Sequence, residues 1–367
     1  MNPPILLLAL LLPLVPLVPA EEMPLALKGL DPVELTRGKE VAGDAKLTVD
    51  RGPHRYAFQN EANKAAFLAD PELLGIQWGG ACGRMGPGSG RGSPDRFWVH
   101  DGRIFVFASE PCRESFKKDP AAHFDPDEAP VEGDAAALKA GREWIDRAVA
   151  AHGGAKAIDG MQRLALIDQW EEQGQDGPTQ RVRALMCSFP DDFCLQEAWG
   201  DWESKTVVRK AECFAWYTGG QTEDEHASAR RDLERRLARQ PLLILRARTR
   251  PDFRAVVESV KQDDPLALAY VSVSFAGTRT KLGLDPRTGA ILELHYRGRG
   301  PRSTYGPMKR LYASTTMDGK PVTASKGVTI PHEVEVEFDG KPLPAREKLQ
   351  RRAEVDAEIA PEIFARP

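Results

Sequence analysis

Five cysteines are the residues in this chain best suited to chemistry, and two of them stand in one short stretch. Cys82 follows Trp78-Gly79-Gly80-Ala81, a turn-like run. Cys112 follows Phe105-Val106-Phe107-Ala108-Ser109-Glu110-Pro111, the end of an apolar strand. Thiolates are soft ligands that suit Cu(I) and Zn, and His100 and His123 lie close enough in sequence to add imidazoles. Two cysteines in an exported chain can also form a disulfide, or stay as separate thiols. The spacing leaves these alternatives open, because no CxxC or HExxH pattern occurs. For His100 and His123 the ordinary reading is a partly exposed histidine with no metal.

A second pair, Cys187 and Cys194, flanks Ser188-Phe189-Pro190-Asp191-Asp192-Phe193. Pro190-Asp191-Asp192 is turn chemistry between strand-like runs. A four-residue loop over 189–192 would put Cys187 opposite Cys194. Opposed residues have Cα atoms about 4.5 to 5.5 Å apart, inside the disulfide range of about 4.4 to 6.8 Å. The expectation is a Cys187–Cys194 bridge, with Cys213 left as the odd thiol. No nucleophile constellation argues for an enzyme. Ser115-Phe116-Lys117-Lys118 fits Ser-x-x-Lys, a pattern short enough to arise by chance, and His295 and His332 have no recognisable partners.

The chain that must position these residues has 367 of them, enough for two domains. It is 41% hydrophobic and 28% charged, so it is globular. A net charge of −4 gives no basic field for nucleic acid. Ile5 to Val18 is uncharged and apolar, too short and proline-rich for a membrane span. Val18-Pro19-Ala20 offers small residues at a cleavage spacing, so a signal peptide over 1–20 is expected, cut after Ala20. The alternative is an uncleaved N-terminal anchor, since the leader holds no Lys or Arg. Export would place the protein in the periplasm or outside the cell, with membrane contact only through that segment or peripherally.

Residues 24–127 read as a first module. Lys46–Asp50 and His54–Phe58 alternate as a hairpin about Arg51-Gly52-Pro53. Asn60 can cap a helix from Glu61 that ends at Asp70-Pro71. Arg103–Phe107 is a further strand and Glu110–Lys118 a second helix. Tyr56-Ala57-Phe58, Asn60, Phe67 and Asp70-Pro71 are echoed 49 positions later by Phe105-Val106-Phe107, Ser109, Phe116 and Asp119-Pro120. This is either an internal repeat or two similar strand-helix units. Gly29-Leu30-Asp31-Pro32-Val33, Gly38-Lys39, Tyr56-Ala57-Phe58, Asn63, Phe67, Ala69-Asp70-Pro71, Gly79-Gly80-Ala81-Cys82 and Asp101-Gly102-Arg103-Ile104-Phe105 together resemble an exported YHS domain. The resemblance implies a small α+β fold and, loosely, binding of a soft heavy metal such as Cu or Zn, with Cys82, Cys112, His100 and His123 as candidate ligands.

Residues 128–133 read as an acidic, proline-containing linker. A second module over 134–345 opens with a helix from Ala135 to His152, capped by Asp134 and ended by Gly153-Gly154. Strand-like runs follow at 164–170, 181–188, 193–199 and 205–209, and again at 270–275, 278–284, 290–296 and 333–338. Arg230–Arg239 is a basic helix whose expected place is a solvated face. Leu242–Leu245 reads as buried. Residues 346–367 read as a C-terminal tail. Ala151-His152-Gly153-Gly154-Ala155-Lys156-Ala157, Cys213-Phe214-Ala215-Trp216-Tyr217, Leu284-Asp285-Pro286-Arg287-Thr288-Gly289 and Gly327-Val328-Thr329-Ile330-Pro331-His332 resemble the LolA-like, outer-membrane lipoprotein-sorting type of domain. That resemblance implies a half-open antiparallel barrel with a concave face for acyl chains; the same residues could equally fill a core. The fold class expected is α+β: a small YHS-like α+β module, then a curved antiparallel sheet, a half-barrel, packed on helices. The function expected is an exported binding protein, with lipid or lipoprotein as possible ligand. The alternative is an envelope structural or interaction protein with no small ligand.

Overall fold

The computed structural model describes residues 23–174, 177–260, 264, 267–313 and 324–366. The leader expected over 1–20 lies outside the described residues.

Asp31 starts the first module by capping α1 (Pro32–Thr36). The predicted hairpin follows as β1 (Asp44–Arg51) and β2 (His54–Phe58). Asn60 caps α2 (Glu61–Ala69), and Asp70 caps the short α3 (Pro71–Leu74). After a glycine-rich crossing come β3 (Ser93–His100), β4 (Arg103–Phe107) and α4 (Glu110–Lys118), capped by Ser109. Each boundary of β1, β2 and α2 thus recurs 49 residues on in β3, β4 and α4. The bulges recur too, between Asp44 and Thr48 and between Ser93 and Phe97. The second bulge explains why β3 is hard to read: Pro94-Asp95-Arg96 breaks the alternation, and the bulge absorbs it. Tyr56, Phe58, Phe67, Ile104 and Val106 bury one core, and Phe105, Phe107 and Phe116 another, with Cys82 in the second.

The segment read as a linker is docked. Val131 is buried, its amide donating to Ser274 Oγ (2.9 Å), and Glu128 N donates to Gly277 O (3.0 Å). The helix predicted next is α5 (Ala135–Ala151), capped by Asp134. Gly153, at φ +116°, turns the chain into α6 (Gly154–Gly160). His152 at this corner accepts from Ile291 N at Nε2 (3.1 Å), so its Nδ1–H donates to Thr329 O (2.7 Å).

Two large antiparallel sheets follow. A meander of β5 (Arg163–Gly174), β6 (Gly177–Ser188), β7 (Asp192–Trp199), β8 (Trp202–Arg209), β9 (Glu212–Tyr217) and β10 (Thr222–Asp224) builds the first. The chain then forms α7 (Ala227–Ala238) and α8 (Pro241–Arg246). β11 (Arg254–Ser259), β12 (Ala269–Phe275), β13 (Thr278–Leu284), β14 (Ile291–Arg299) and β15 (Tyr305–Ala313) build the second. A small hairpin, β16 (Ala324–Ser325) with β17 (Val328–Thr329), leads to β18 (His332–Phe338) beside β15 and to β19 (Lys341–Pro342) beside β18. The expected tail is instead β20 (Glu347–Val355), which returns to pair with β5 at the edge of the first sheet. Ala357, Ile359 and Phe364 then cover that sheet's outer face, over Met186, Cys194, Val207 and Phe214.

The inner faces share one core. Leu164, Cys187 and Val208 from the first sheet meet Val271, Leu282 and Leu294 from the second, with Leu233, Leu237 and Leu242–Leu245 of α7 and α8 among them. The architecture is α+β, and neither sheet closes into a barrel. The helices α7 and α8 occupy part of the concavity between the sheets.

The hairpin between β6 and β7 corrects the disulfide expectation. Ser188 pairs with Asp192, so only Phe189–Asp191 form the loop, and Cys187 faces Phe193 while Met186 faces Cys194. One residue of register moves a side chain to the other face. Cys187 lies in the inner core and Cys194 in the outer layer, and both thiols are free. Burial pushes the Cys187 thiol up and raises Cys194 to about 12, the state of inert buried thiols.

Candidate functional site

Two places in the molecule gather chemically capable side chains. The first is the pair Cys82 and Cys112. Cys82 is fully buried at the crossing that precedes β3, bridged in parallel to Val106 of β4. Its Sγ accepts from Ala108 N at 3.4 Å and from the amides of Arg84 and Met85. Cys112 sits in the first turn of α4, half-buried, with Ser109 Oγ at 3.2 Å from its sulfur. The two thiols are in hydrogen-bonding contact, and the Arg84 guanidinium also reaches Cys112. Burial works to raise both. At Cys112 the hydrogen bonds from Ser109 and Cys82 and the charge of Arg84 outweigh it and lower the thiol; at Cys82 burial wins.

The predicted four-ligand metal set does not assemble. His100 stacks on Phe124 (centroids 6.0 Å apart) and pairs with Asp101 at 3.5 Å, while His123 is buried against Phe116. Among the described residues no three His, Cys, Asp or Glu side chains are placed to hold one metal ion. Two thiolates without a third donor fall short of the four-coordinate set of structural zinc. The histidines went astray because the sequence shows proximity along the chain but not that aromatic rings occupy the space between.

The second place is a partly open cavity of about 390 Å³ between the two sheets, roofed by α7. Leu164, Leu166, Leu185, Leu195 and Leu233 give it an apolar wall. Charged side chains line another part of it, and the charges are unequal. Arg351 clasps Asp168 through two hydrogen bonds (2.6 and 2.7 Å), and Arg346 adds a third at 2.7 Å. Arg351 and Arg310 share Glu333, at 3.4 and 3.3 Å. Asp232 takes Arg236 (2.9 Å), Arg299 (3.1 Å) and the Tyr305 hydroxyl (2.9 Å). Five arginines therefore share three carboxylates. Two further lining arginines, Arg183 and Arg239, are paired elsewhere, with Glu197 and Asp125. Burial acts to raise Asp168 and Asp232, but the guanidiniums around each prevail and hold both carboxyls below the usual range. Arg310 is part-buried beside the Tyr296 ring (5.4 Å), and its Nε has no hydrogen-bond partner among the described residues.

The basic helix read as a solvated face proves to be a wall. Arg235 on α7 and Arg239 at its C-terminal cap are buried against Asp125 (3.3 and 3.1 Å), and Arg236 faces the cavity. Leu195, Asp232, Leu233 and Arg236 border a second, larger cleft of about 920 Å³ as well, so the inner cavity adjoins it. That cleft lies between the modules. Trp199, Trp202 and Tyr217 line it from the first sheet, and His54, Trp78 and Arg91 from the small module. Arg91–Glu223 (2.9 Å) and His226–Glu72 (2.5 Å) cross the boundary.

Sequence reasoning missed every cavity arginine, since isolated arginines in polar strands carry no mark of burial. The one usable signal was Leu349 to Val355, where Leu349, Arg351, Ala353 and Val355 stand at alternate positions.

No family model matches this chain, and no curated protein matches it. The YHS and LolA-like resemblances therefore rest on the residues quoted for them. Among solved structures, a DUF1329 family protein from Desulfovibrio piger is similar at 10% identity and a TM-score of 0.36, covering 62% of this chain and 97% of that one. A domain described as an outer membrane lipoprotein-sorting protein domain, from Vibrio parahaemolyticus, is similar at 8% identity and a TM-score of 0.29, covering 55% of this chain and 93% of that one.

Proposed function

We propose that this protein is an exported binding protein for an amphipathic anion, a lipid with an acidic headgroup. The observation that carries the reading is the cavity between the sheets, where five arginines share three carboxylates beside a wall of leucines. These guanidiniums are part-buried and outnumber the carboxylates they share, and a concave site lined by an excess of one charge favours a ligand of the other. Arg310 lines the cavity, and its guanidinium can add a contact to that ligand. The leucines fit the apolar part of the ligand, and the volume lies within the range of ligand pockets. The cleft between the modules offers the path inward, with the tryptophans at its mouth. The leader expected over 1–20 would deliver the protein to the periplasm or beyond.

The test is native mass spectrometry of the purified full chain, followed by titration with a fatty acid and with the corresponding alcohol. An acid-selective complex is expected, weakened at least about tenfold by Arg310→Met through loss of a charge-assisted hydrogen bond. Equal binding of acid and alcohol, or no binding of either, overturns the reading.

A further inference from the structure

The internal repeat of the small module extends to its chemistry. In the first half, Asp31 Oδ1 accepts from Val33 N (2.8 Å) and Glu34 N (3.3 Å). Its Oδ2 accepts from Gln59 N (2.7 Å) and Asn63 Nδ2 (2.8 Å). In the second half, Cys82 occupies the place of Asp31. Its sulfur accepts from Arg84 N and Met85 N, which correspond to Val33 and Glu34, and from Ala108 N, which corresponds to Gln59. Cys112 occupies the place of Asn63, three residues after the helix cap in both halves. A carboxylate and an amide in one half are two touching thiols in the other.

The consequence is a thiol held in a cradle of backbone amides that holds an anion in its twin. Cys82 is fully buried there, whereas Cys112 is accessible, stands in the first turn of α4 and is reached by Arg84. A helix start and a guanidinium both favour thiolate.

We propose that Cys82 and Cys112 are a reversible dithiol–disulfide pair that exchanges with an external disulfide or dithiol. The Cys112 thiolate attacks one sulfur of the partner's disulfide, and the partner's other sulfur leaves as a thiolate that takes a proton. The Cys82 thiolate then attacks Cys112 Sγ in the mixed disulfide. This forms the Cys82–Cys112 bond and releases the second partner thiolate, which is protonated in turn. Two electrons and two protons pass from the pair to the partner, and the reverse sequence reduces the pair. In that reverse direction Cys82 is the leaving thiolate, and the amide cradle offsets part of the cost that its burial imposes.

The experiment equilibrates the full chain in glutathione buffers of graded ratio, quenches with acid and alkylating agent, and maps the peptides. The expected result is a two-electron transition in which the 82–112 linked peptide appears with oxidation, while Cys187, Cys194 and Cys213 stay alkylatable on unfolding. Cys82→Ser should accumulate the Cys112–glutathione mixed disulfide, and Cys112→Ser should form at least about tenfold less adduct, because the buried partner is shielded. Cys82→Asp with Cys112→Asn rebuilds the first half's pair and serves as the folded, exchange-inert control. Absence of the linked peptide at every ratio overturns the proposal. So does a transition that persists in the Asp/Asn variant, or stoichiometric Cu(I) uptake by a reduced pair that never oxidises.

Discussion

His226 caps the start of α7 and, with the other side of its ring, clasps Glu72 of the small module. Its Nδ1 accepts from Ser228 N (3.2 Å), so Nε2 carries the proton and donates to Glu72 at 2.5 Å. One side chain thus fixes the helix that roofs the cavity and joins the two modules beside the cleft. Gly79 permits the approach, since a Cβ there would stand 2.8 Å from the His226 Cβ.

His226→Ala should cost about 1 kcal/mol through the lost cap. In a double-mutant cycle with Glu72→Ala, a coupling of about 0.5–1 kcal/mol is expected for a part-exposed pair. Urea denaturation of the four variants measures it, and additive losses would show that the clasp contributes nothing.

His54 makes the stability of the small module depend on pH. It is buried beneath Gly80, its Nε2 lacks a partner, and burial with the charge of Arg91 lowers it to about 4. A lowered histidine binds its proton in the unfolded chain before the folded one. Its contribution is therefore fully present above the unfolded value near 6.5 and is lost as pH falls from there towards 4. The loss approaches about 3 kcal/mol at most, at about 1.4 kcal/mol per pH unit. Stability measured from pH 7 to pH 4 should fall less steeply in His54→Gln, and parallel curves would refute the assignment.

Asp168 carries the opposite sign. Its folded value is lowered, so its contribution is present above the unfolded carboxylate range and disappears as pH drops through the folded value. Asp168→Ala takes the carboxylate from Arg346, leaves Arg351 with Glu333, and should cost about 2–3 kcal/mol, somewhat below the loss for a fully buried pair because the site borders a cavity. An acidic amphiphile bound in that cavity should stabilise this variant more than the parent. Thermal melts with and without the ligand decide it, and equal shifts would count against a ligand at these arginines.

What the sequence disclosed, and what it withheld, divides along physical lines. The 49-residue echo was legible because caps and Asp-Pro stops are local chemistry, and Asn60, Ser109, Asp70 and Asp119 all act where their types suggest. The strand at 305–313 was not, since Pro307, Lys309 and Arg310 mask its alternation, and nor was β20, whose polar residues read as a tail. The partnership of Cys82 and Cys112 could be suspected, but the likeness of Cys82 to Asp31 needed the hydrogen bonds. The Cys187 register turned on one loop residue, which turn chemistry alone does not count. The arginine cavity was illegible because each guanidinium finds its carboxylate far away in sequence, as Arg351 finds Asp168.

Gly141 sets helix propensity against packing, and the magnitudes choose between them. It lies inside α5, where glycine is worse than alanine by about 1 kcal/mol, so propensity alone predicts that Gly141→Ala stabilises. A Cβ there would stand 2.1 Å from Ala255 O and 2.7 Å from Val256 N, both backbone atoms of β11. Backbone in a paired strand cannot swing aside as a side-chain end can, and β11 is the sheet edge that α5 covers. Overpacking of this kind costs about 1–3 kcal/mol or more, which exceeds the propensity gain. Gly141→Ala should therefore destabilise, whereas Gly160→Ala, with nothing within 4 Å of its Cβ, should be neutral or stabilise by up to about 1 kcal/mol. Chemical denaturation of both variants separates the two effects. A stabilised Gly141→Ala would mean that α5 does not sit against β11 as closely as the structure has it.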